Sequence, residues 1–247
     1  APALPEESAR EVVGQETVLA VQDLEVTFRE PGAGLRALLG SPAQARAVEG
    51  VGMRVRRGRT VGLVGESGSG KTSLARAITG LVERSGGTVT LHDHPLPPGL
   101  RGRDRETRRL LQMVFQNPEE ALNPFHTVGE ALRRPLMRLR GQSSQEAEEG
   151  ARALLAQVQL DPEYAGRLPA ELSGGEKQRV AIARAFATDP DLVFADEPVS
   201  SLDVSVQASI LELLAMLQGE RGVSTVFISH DLAVVGYLAD DILVLYR

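Results

Sequence analysis

The sequence predicts an α/β protein whose core is a mostly parallel sheet, with a small antiparallel β subdomain and an inserted α-helical subdomain. Apolar runs of strand length occur at Leu192 to Ala195, Thr225 to Ile228 and Ile242 to Tyr246, and parallel sheets bury such runs completely. An apolar stripe at helical spacing lies between the first two runs. It comprises Val206, Ile210, Leu213, Leu214 and Leu217. Strands that alternate with helices indicate βαβ units and a doubly wound core.

The antiparallel subdomain is predicted from short strand patterns near the start of the chain. Val18 to Phe28 alternates between apolar and polar residues, with its apolar face running from Leu24 to Phe28. Pro31 to Gly34 interrupts the pattern, and Arg46 to Val55 resumes it. Thr88 to Leu91, which follows two glycines, predicts a further strand. We expect these strands to form a small sheet beside the core.

A mostly helical insertion is predicted after the apolar run Leu110 to Phe115 and before the chain returns to strands. Val128 to Leu139 and Glu146 to Val158 carry apolar residues at helical spacing. Before them, Arg101 to Arg109 holds five arginines interleaved with acids. Because no aromatic side chains are interleaved for stacking on bases, we interpret this stretch as a solvated helix face and not as a nucleic-acid patch.

Composition narrows the class of protein. The chain has 247 residues, of which 42% are hydrophobic and 24% charged, and its net charge is −6. These values are typical of a globular protein and do not indicate a nucleic-acid partner. The lack of cysteines excludes disulfides and cysteine nucleophiles from this segment. No window approaches 18 consecutive apolar residues, so we expect any membrane role to depend on a partner.

The two ends of the chain suggest a segment of a longer polypeptide. Residues 1–16 contain Pro2, Pro5 and several acids but no apolar core, which predicts a disordered linker and not a secretory signal. The chain lacks an initiator Met and stops abruptly at Arg247, so we expect a truncation at the C-terminus.

A glycine loop supplies the first functional signal. Gly65 to Thr72 matches G-x-x-x-x-G-K-[ST], after a strand pattern at Thr60 to Val64 and before a helical pattern at Leu74 to Leu81. A helix N-terminus behind such a loop favours an anion, which predicts a P-loop NTPase core. Lys71 is expected to reach the β- and γ-phosphates, and the Thr72 hydroxyl to ligate Mg²⁺. The predicted nucleotide-binding residues are Gly65, Glu66, Ser67, Gly68, Ser69, Gly70, Lys71, Thr72 and Ser73.

A pair of acids at the end of a buried strand supplies the second signal. A P-loop enzyme needs a further carboxylate to hold Mg²⁺, and Asp196 directly follows the Leu192 to Ala195 run. Glu197 comes next, where it could polarise the attacking water. The alternative is turn chemistry, which Pro198 would support.

The stretch Leu172 to Arg179 points to one particular family. It reads LSGGEKQR and opens a predicted helix. This stretch resembles the L-S-G-G-Q motif of ATP-binding cassette (ABC) ATPases, with Glu176 at the fifth position. The resemblance implies that this helix N-terminus faces the γ-phosphate of ATP held by the P-loop of a second cassette. Ser173 and its two glycines also suit an ordinary helix cap, so the motif alone is a modest signal.

The remaining motifs of the family follow in family order. Gln116 resembles the Q-loop glutamine, Ser201 to Asp203 the D-loop at the dimer interface, and His230 the switch histidine that contacts the γ-phosphate. Phe28 lies where the family places an aromatic that stacks on adenine, although core packing is an equal alternative. The catalytic residues implied by the resemblance are Glu197, His230, Gln116 and Lys71.

Residues near the Q-loop indicate a branch of the family. Gln112 to Pro118 and Ala121 to Pro124 are similar to ATPases that drive di- and oligopeptide or nickel import, which typically read Q-M-V-F-Q-D-P and S-L-N-P. Asn117 and Ala121 depart from that pattern. The resemblance implies ATP and Mg²⁺ as cofactors and permease subunits as partners. It also implies a second ABC ATPase domain, identical or not and possibly in tandem, and a place on the cytoplasmic face of the membrane.

The resemblance also implies the domain organisation. Residues 17–247 are expected to form one ABC ATPase domain with a RecA-like core. The antiparallel subdomain is expected at about 18–60 and 86–93, and the helical subdomain at about 117–172. A soluble, non-transport ABC ATPase, such as the cassette subunit of a phosphonate-degrading complex, is the alternative function.

Overall fold

The computed structural model describes residues 16–29 and 44–246. Nearly all of the predicted linker and the predicted break at Pro31 to Gly34 lie outside these residues. The described part contains two sheets and, between and around them, α-helices and shorter helical turns. The strands are β1 (Thr17–Arg29), β2 (Gln44–Arg56), β3 (Thr60–Gly65), β4 (Gly86–Leu91), β5 (His94–Pro95), β6 (Leu111–Val114), β7 (Leu192–Asp196), β8 (Ser224–Ile228) and β9 (Asp241–Leu245).

The α-helices follow the apolar periodicity of the sequence. Their bounds are α1 (Lys71–Thr79), α2 (Arg105–Leu110), α3 (Val128–Pro135), α4 (Ser144–Gln157), α5 (Gly174–Phe186), α6 (Val204–Arg221) and α7 (Leu232–Leu238). A π-helical turn at Leu136–Arg140 continues α3 after Pro135. Proline has no N–H to continue the α-helical pattern, so a change of helix type at this point is expected. No helix of the described ranges is long and apolar enough to cross a membrane.

The larger sheet has five strands in the order β6-β7-β8-β3-β9, and all neighbours are parallel. This arrangement confirms the predicted α/β core. Its register aligns strand ends: Ile228 of β8 lies opposite both Leu63 of β3 and Asp196 of β7, and Val114 of β6 lies opposite Ala195. The segments that follow β3, β6, β7 and β8 therefore meet at one edge of the sheet.

One strand differs from its prediction. Ile242 to Tyr246 is not fully buried, because β9 forms an edge of the described sheet with β3 as its neighbour. Ile242 is 51% exposed and Tyr246 is 81% exposed. The apolar run alone could not distinguish an edge strand from a central one.

The smaller sheet is antiparallel, with the order β2-β1-β4-β5. Register shifts interrupt the pairing of β1 with β2, one of them between Val26 and Thr27. Leu24 and Val26 are completely buried, whereas Phe28 is 41% exposed, so Phe28 does not share their buried face as predicted. The core-packing alternative for Phe28 is wrong for that reason.

Two apolar clusters hold these layers together, and each uses residues of the parallel sheet. One cluster joins the antiparallel sheet and α1 to Leu63, Phe194 and Val226. The other joins α3, α4, α5 and α6 to Val193 and Phe227. Neighbouring residues of a strand point to opposite faces, so the alternation from Val193 to Phe194 separates the two clusters. The predicted residue limits of the three subdomains stay a prediction.

Two side chains near α1 correct the sequence-based interpretation. Leu81 does not belong to the helical stripe, because α1 ends at Thr79 with Gly80 in a left-handed cap, and Leu81 is 44% exposed. Arg103 is not on a solvated face, since it is only 3% exposed. Its guanidinium lies over Gly80, where a Cβ would come within 2.8 Å of the Arg103 Cζ, and its Nε donates to the Pro97 carbonyl.

Candidate functional site

The glycine loop connects β3 to α1 and lines a cleft of about 370 Å³. Lys71 begins α1, and its Nζ donates to the carbonyl oxygens of Gly65 at 2.7 Å and Glu66 at 2.9 Å. Gly70 has φ +98°, and a Cβ there would lie 2.2 Å from the Ala47 carbonyl oxygen of β2. Only glycine fits such a backbone. The loop thus brings its backbone close to β2 and keeps the lysine at the base of the cleft.

A hydroxyl and a buried carboxylate meet at the floor of this cleft. The Thr72 Oγ1 donates to the Asp196 Oδ1 at 3.1 Å, and Asp196 is 1% exposed. Burial raises the pKa of Asp196 above its usual value, the bond from Thr72 lowers it, and the adjacent charge of Glu197 raises it. A hydroxyl and a carboxylate are hard oxygen ligands of the type that Mg²⁺ prefers. The donor set therefore fits the predicted metal.

Glu197 lies at the centre of three predicted catalytic side chains. Its Oε2 accepts from the Gln116 Nε2 at 3.2 Å, and its Oε1 lies 3.3 Å from the His230 Nδ1. Its backbone is left-handed, with φ +42°, and its N–H donates to the Ile228 carbonyl at 3.0 Å. Positive φ is unusual for a non-glycine residue, and such backbones are concentrated at functional sites.

The surroundings include a residue that sequence reasoning missed. The Ser200 hydroxyl accepts from the Gln116 Nε2 at 3.3 Å and donates to the Glu197 carbonyl at 3.1 Å. It therefore links the Q-loop glutamine to the turn that carries Glu197. In the sequence, Ser200 is recognisable only as a hydroxyl three residues after Glu197. Such hydroxyls are common in turns, so the sequence alone assigns Ser200 no role.

Phe28 and His230 are the more exposed members of the predicted site. Phe28 lies opposite Ala45 on β2, and Ala47, two residues further along the same strand, lines the cleft. Phe28 itself is not among the residues that line it. His230 follows β8, and its side chain is 63% exposed.

The L-S-G-G-E stretch forms the start of α5. Ser173 is the N-cap: its backbone N–H donates to the Glu176 Oε2 at 2.7 Å, and its hydroxyl accepts from the Glu176 N–H at 3.4 Å. Such a capping box leaves the other N–H groups of the first turn facing outward. A Cβ on Gly175 would lie 2.7 Å from the Val206 Cγ1, so glycine lets α5 pack closely on α6.

Comparison with known proteins identifies the family. The sequence profile described as "ABC transporter" matches residues 48–200, more than half of the chain. The chain belongs to the ABC transporter family. The motifs described above therefore lie in a chain that belongs to the family they resemble.

Individual relatives refine this assignment. The chain is 43% identical over 234 residues to the oligopeptide transport ATP-binding protein OppF of Escherichia coli (strain K12), covering 94% of this chain and 70% of OppF. It is 42% identical over 231 residues to the di/tripeptide transport ATP-binding protein DppF of Pseudomonas aeruginosa (strain UCBPP-PA14), with the same two coverages of 94% and 70%. These relatives confirm the predicted resemblance to peptide-importer ATPases.

Solved structures agree with the fold. A dimeric post-hydrolysis structure of the ATP-binding cassette MJ0796 bound to ADP and Pi has a TM-score of 0.77 at 30% identity, covering 92% of this chain and 94% of that one. A second dimeric MJ0796 structure has a TM-score of 0.76 at 29% identity, with the same coverages of 92% and 94%. The predicted P-loop NTPase fold and the assignment as an ABC ATPase are thereby confirmed. Both MJ0796 structures are dimeric and one holds ADP and Pi, which agrees with the predicted nucleotide and second cassette.

A groove on this cassette lies beside the strand that leads to Gln116. Two adjoining cavities share Gln112, Leu139 and Arg184 and run between β6 and the α3–π segment. Five arginines line them, and within the described ranges neither cavity is lined by an acid. These arginines are Arg103, Arg108, Arg134, Arg138 and Arg184.

Electrostatics distinguish this groove from an ordinary polar surface. Burial lowers the pKa of Arg184, and the like charge of Arg134 lowers it further. Burial lowers the pKa of Arg103 to about 10, and its Nη2 is buried without a hydrogen-bond partner among the residues described. Desolvated cations without a counter-ion are costly, so the groove favours an anionic occupant.

Proposed function

We propose that this cassette hydrolyses ATP to power an importer of peptides, on the cytoplasmic face of the membrane. The observation that carries the proposal is the contact of Gln116 and His230 with the Glu197 carboxylate, beside the P-loop cleft. The relatives at 42% and 43% identity are peptide-transport proteins, which supports peptides as the substrate class. They do not favour the phosphonate-degradation alternative.

Nucleotide binding would use groups from two sheets. Backbone N–H groups of the loop from Gly65 to Ser73 would surround the phosphates, with Lys71 on the β- and γ-phosphates. Phe28 would stack on adenine from the antiparallel sheet. Thr72 and Asp196 would hold Mg²⁺, which neutralises the charge that develops on the phosphate oxygens.

In hydrolysis, Glu197 would act as the general base. Its carboxylate would accept a proton from the water that attacks the γ-phosphorus, while the bond from that phosphorus to the ADP oxygen breaks. Gln116 and His230 would hold the carboxylate in place through the contacts at 3.2 Å and 3.3 Å. His230 would also contact the γ-phosphate. The strained backbone at Glu197 fixes the direction of its side chain. Together with the two contacts, it would hold the carboxylate in one position.

The site would be completed by a second cassette, identical or not. The N-terminus of α5, from Ser173 to Gly175, would bind the γ-phosphate of the nucleotide on the partner's P-loop. The D-loop residues 201–203 would lie along the same interface. Each nucleotide would therefore join two chains, so that binding closes the pair and hydrolysis lets it reopen.

Movement would reach the membrane through the arginine-lined groove. A permease segment that carries acidic side chains would pair with Arg134, which is exposed, and with Arg184, which is partly buried and is repelled by the like charge of Arg134. The groove adjoins Phe115, the residue before Gln116. A shift of Gln116 during hydrolysis would therefore be transmitted to the bound permease segment.

Uptake of labelled di- and oligopeptides by cells that lack the full-length protein tests this proposal. We expect uptake to be lost and to be restored by the parent gene, but not by the same gene with Glu197→Gln. Equal expression of the two genes, measured by immunoblot, is the control. Normal peptide uptake without the protein would refute the proposed substrate class.

A further inference from the structure

Glu176, at the fifth position of the L-S-G-G-E motif, has both carboxylate oxygens engaged. Its Oε2 accepts from the Ser173 backbone N–H at 2.7 Å and from the Ser173 hydroxyl at 2.8 Å. Its Oε1 accepts from the Tyr164 hydroxyl at 2.8 Å. These bonds, led by that of the Ser173 N–H, lower the pKa of Glu176 below its usual value. The carboxylate is therefore ionised at neutral pH.

The third member of this cluster comes from another element. Tyr164 lies in the 3₁₀ turn Pro162–Gly166, which belongs to the segment before α5. The Arg167 guanidinium stacks over its ring, with the Cζ 3.7 Å from the centroid. A cation over the ring face and a hydrogen bond at the hydroxyl fix the orientation of the phenol. Tyr164 can thus hold the Glu176 carboxylate in one place.

This arrangement occupies a group that the partner's nucleotide would use. The Ser173 hydroxyl has a single proton, and that proton is given to Glu176. A phosphate at the helix tip would have to compete for this proton and would also meet the negative charge of the carboxylate. The dipole and free N–H groups of α5 attract an anion, and Glu176 opposes that attraction.

We propose that Tyr164 is a positioning residue that latches the Glu176 carboxylate onto Ser173 and thereby weakens the binding of the partner cassette's ATP. The latch consists of Tyr164, Glu176 and Ser173. It rests on the proposed function, because it needs a second cassette whose γ-phosphate reaches this tip. The latch controls the affinity for ATP from outside the P-loop. Tyr164 and Glu176 exert this control without binding the nucleotide themselves.

Two substitutions separate the parts of the latch. Glu176→Gln removes the charge but keeps the capping box, since Gln at this position accepts the same backbone bond. Tyr164→Phe removes only the hydroxyl that fixes Oε1. We expect Glu176→Gln to lower the ATP concentration for half-maximal binding by about three- to tenfold and Tyr164→Phe by about two- to threefold.

The assay uses the complex isolated from its own cells through a tag on the full-length chain, with Glu197→Gln in every sample so that bound ATP is not consumed. Retained radiolabelled Mg²⁺·ATP is measured against ATP concentration at low and high salt. The benefit of Glu176→Gln should shrink in high salt, because it arises from a charge. Tyr237→Phe, which removes the hydroxyl of a tyrosine that is 68% exposed, is the matched control and should change nothing.

The double variant Tyr164→Phe/Glu176→Gln decides between a latch and a purely structural tyrosine. If Tyr164 acts through Glu176, the double variant binds ATP as Glu176→Gln does. An equal effect of Tyr164→Phe in both backgrounds, or unchanged ATP binding in both single variants, would overturn the latch. If the complex that carries Glu197→Gln but no substitution in the latch retains no ATP, the proposed function is refuted instead.

Discussion

Gly175 offers the sharpest test of how the tip of α5 is packed. Apolar carbons normally pack about 3.5–4.0 Å apart. An alanine Cβ at this position would lie 2.7 Å from the Val206 Cγ1 of α6. Valine is stiff at χ1, so its methyl group cannot simply swing aside. Overpacking of this kind costs about 1–3 kcal/mol, and alanine recovers about 0.5–1 kcal/mol of helix propensity.

We therefore expect Gly175→Ala to lower the free energy of unfolding by about 1–2 kcal/mol. For a chain of this size the melting temperature should fall by about 2–8 °C in a thermal unfolding scan. Gly174→Ala is the matched control: its Cβ would meet the Leu202 Cδ2 at 3.6 Å, an ordinary contact. Its melting temperature should be unchanged or slightly higher.

Val206→Ala provides the rescue. If the clash is real, Gly175→Ala/Val206→Ala should be more stable than the sum of the single effects by about 1 kcal/mol. Equal melting temperatures for Gly175→Ala and Gly174→Ala, or strictly additive effects of Gly175→Ala and Val206→Ala, would refute the packing argument.

Three further predictions follow from the site and the groove. Gly70→Ala should abolish ATP binding in a fluorescent-nucleotide titration, because its Cβ would lie 2.2 Å from the Ala47 backbone oxygen, which cannot yield as a side chain does. Burial raises the pKa of Asp196 above 3.8, so ionising it costs stability as pH rises through that value. Nucleotide-free Asp196→Asn should thus melt above the parent at pH 7, with the difference vanishing below about pH 4. Arg134→Glu should reduce permease recovery in affinity purification by about tenfold, whereas Arg152→Glu, outside the groove, should not.

Local chemistry made much of the site predictable. The glycine loop and the acids Asp196 and Glu197 at the end of a strand are recognised from short stretches of sequence and their immediate flanks. Gln116 and His230 were assigned through the family resemblance. Parallel strands bring their carboxyl ends to one edge, which explains why these two residues lie beside Glu197 in the structure. Their catalytic roles stay predictions, because proximity alone does not assign a proton transfer.

Long-range neighbours account for what could not be predicted. The exposure of β9 depends on the strand order, and the burial of Arg103 depends on its packing over Gly80. Hydrophobic periodicity in the sequence indicates neither the exposure of β9 nor the burial of Arg103. Likewise, Glu176 was placed in its motif, but its bond to Tyr164, 12 residues earlier, depends on how the preceding segment folds back.

Hydrolysis by Glu197→Gln tests the central claim most directly. Phosphate release and ATP binding are measured on the same preparation at saturating Mg²⁺·ATP, with the parent protein in parallel. We predict that phosphate release falls by at least about a hundredfold, because the general base is lost, while the affinity for ATP is retained. Phosphate release at the parent rate would contradict the assignment of Glu197 as the general base.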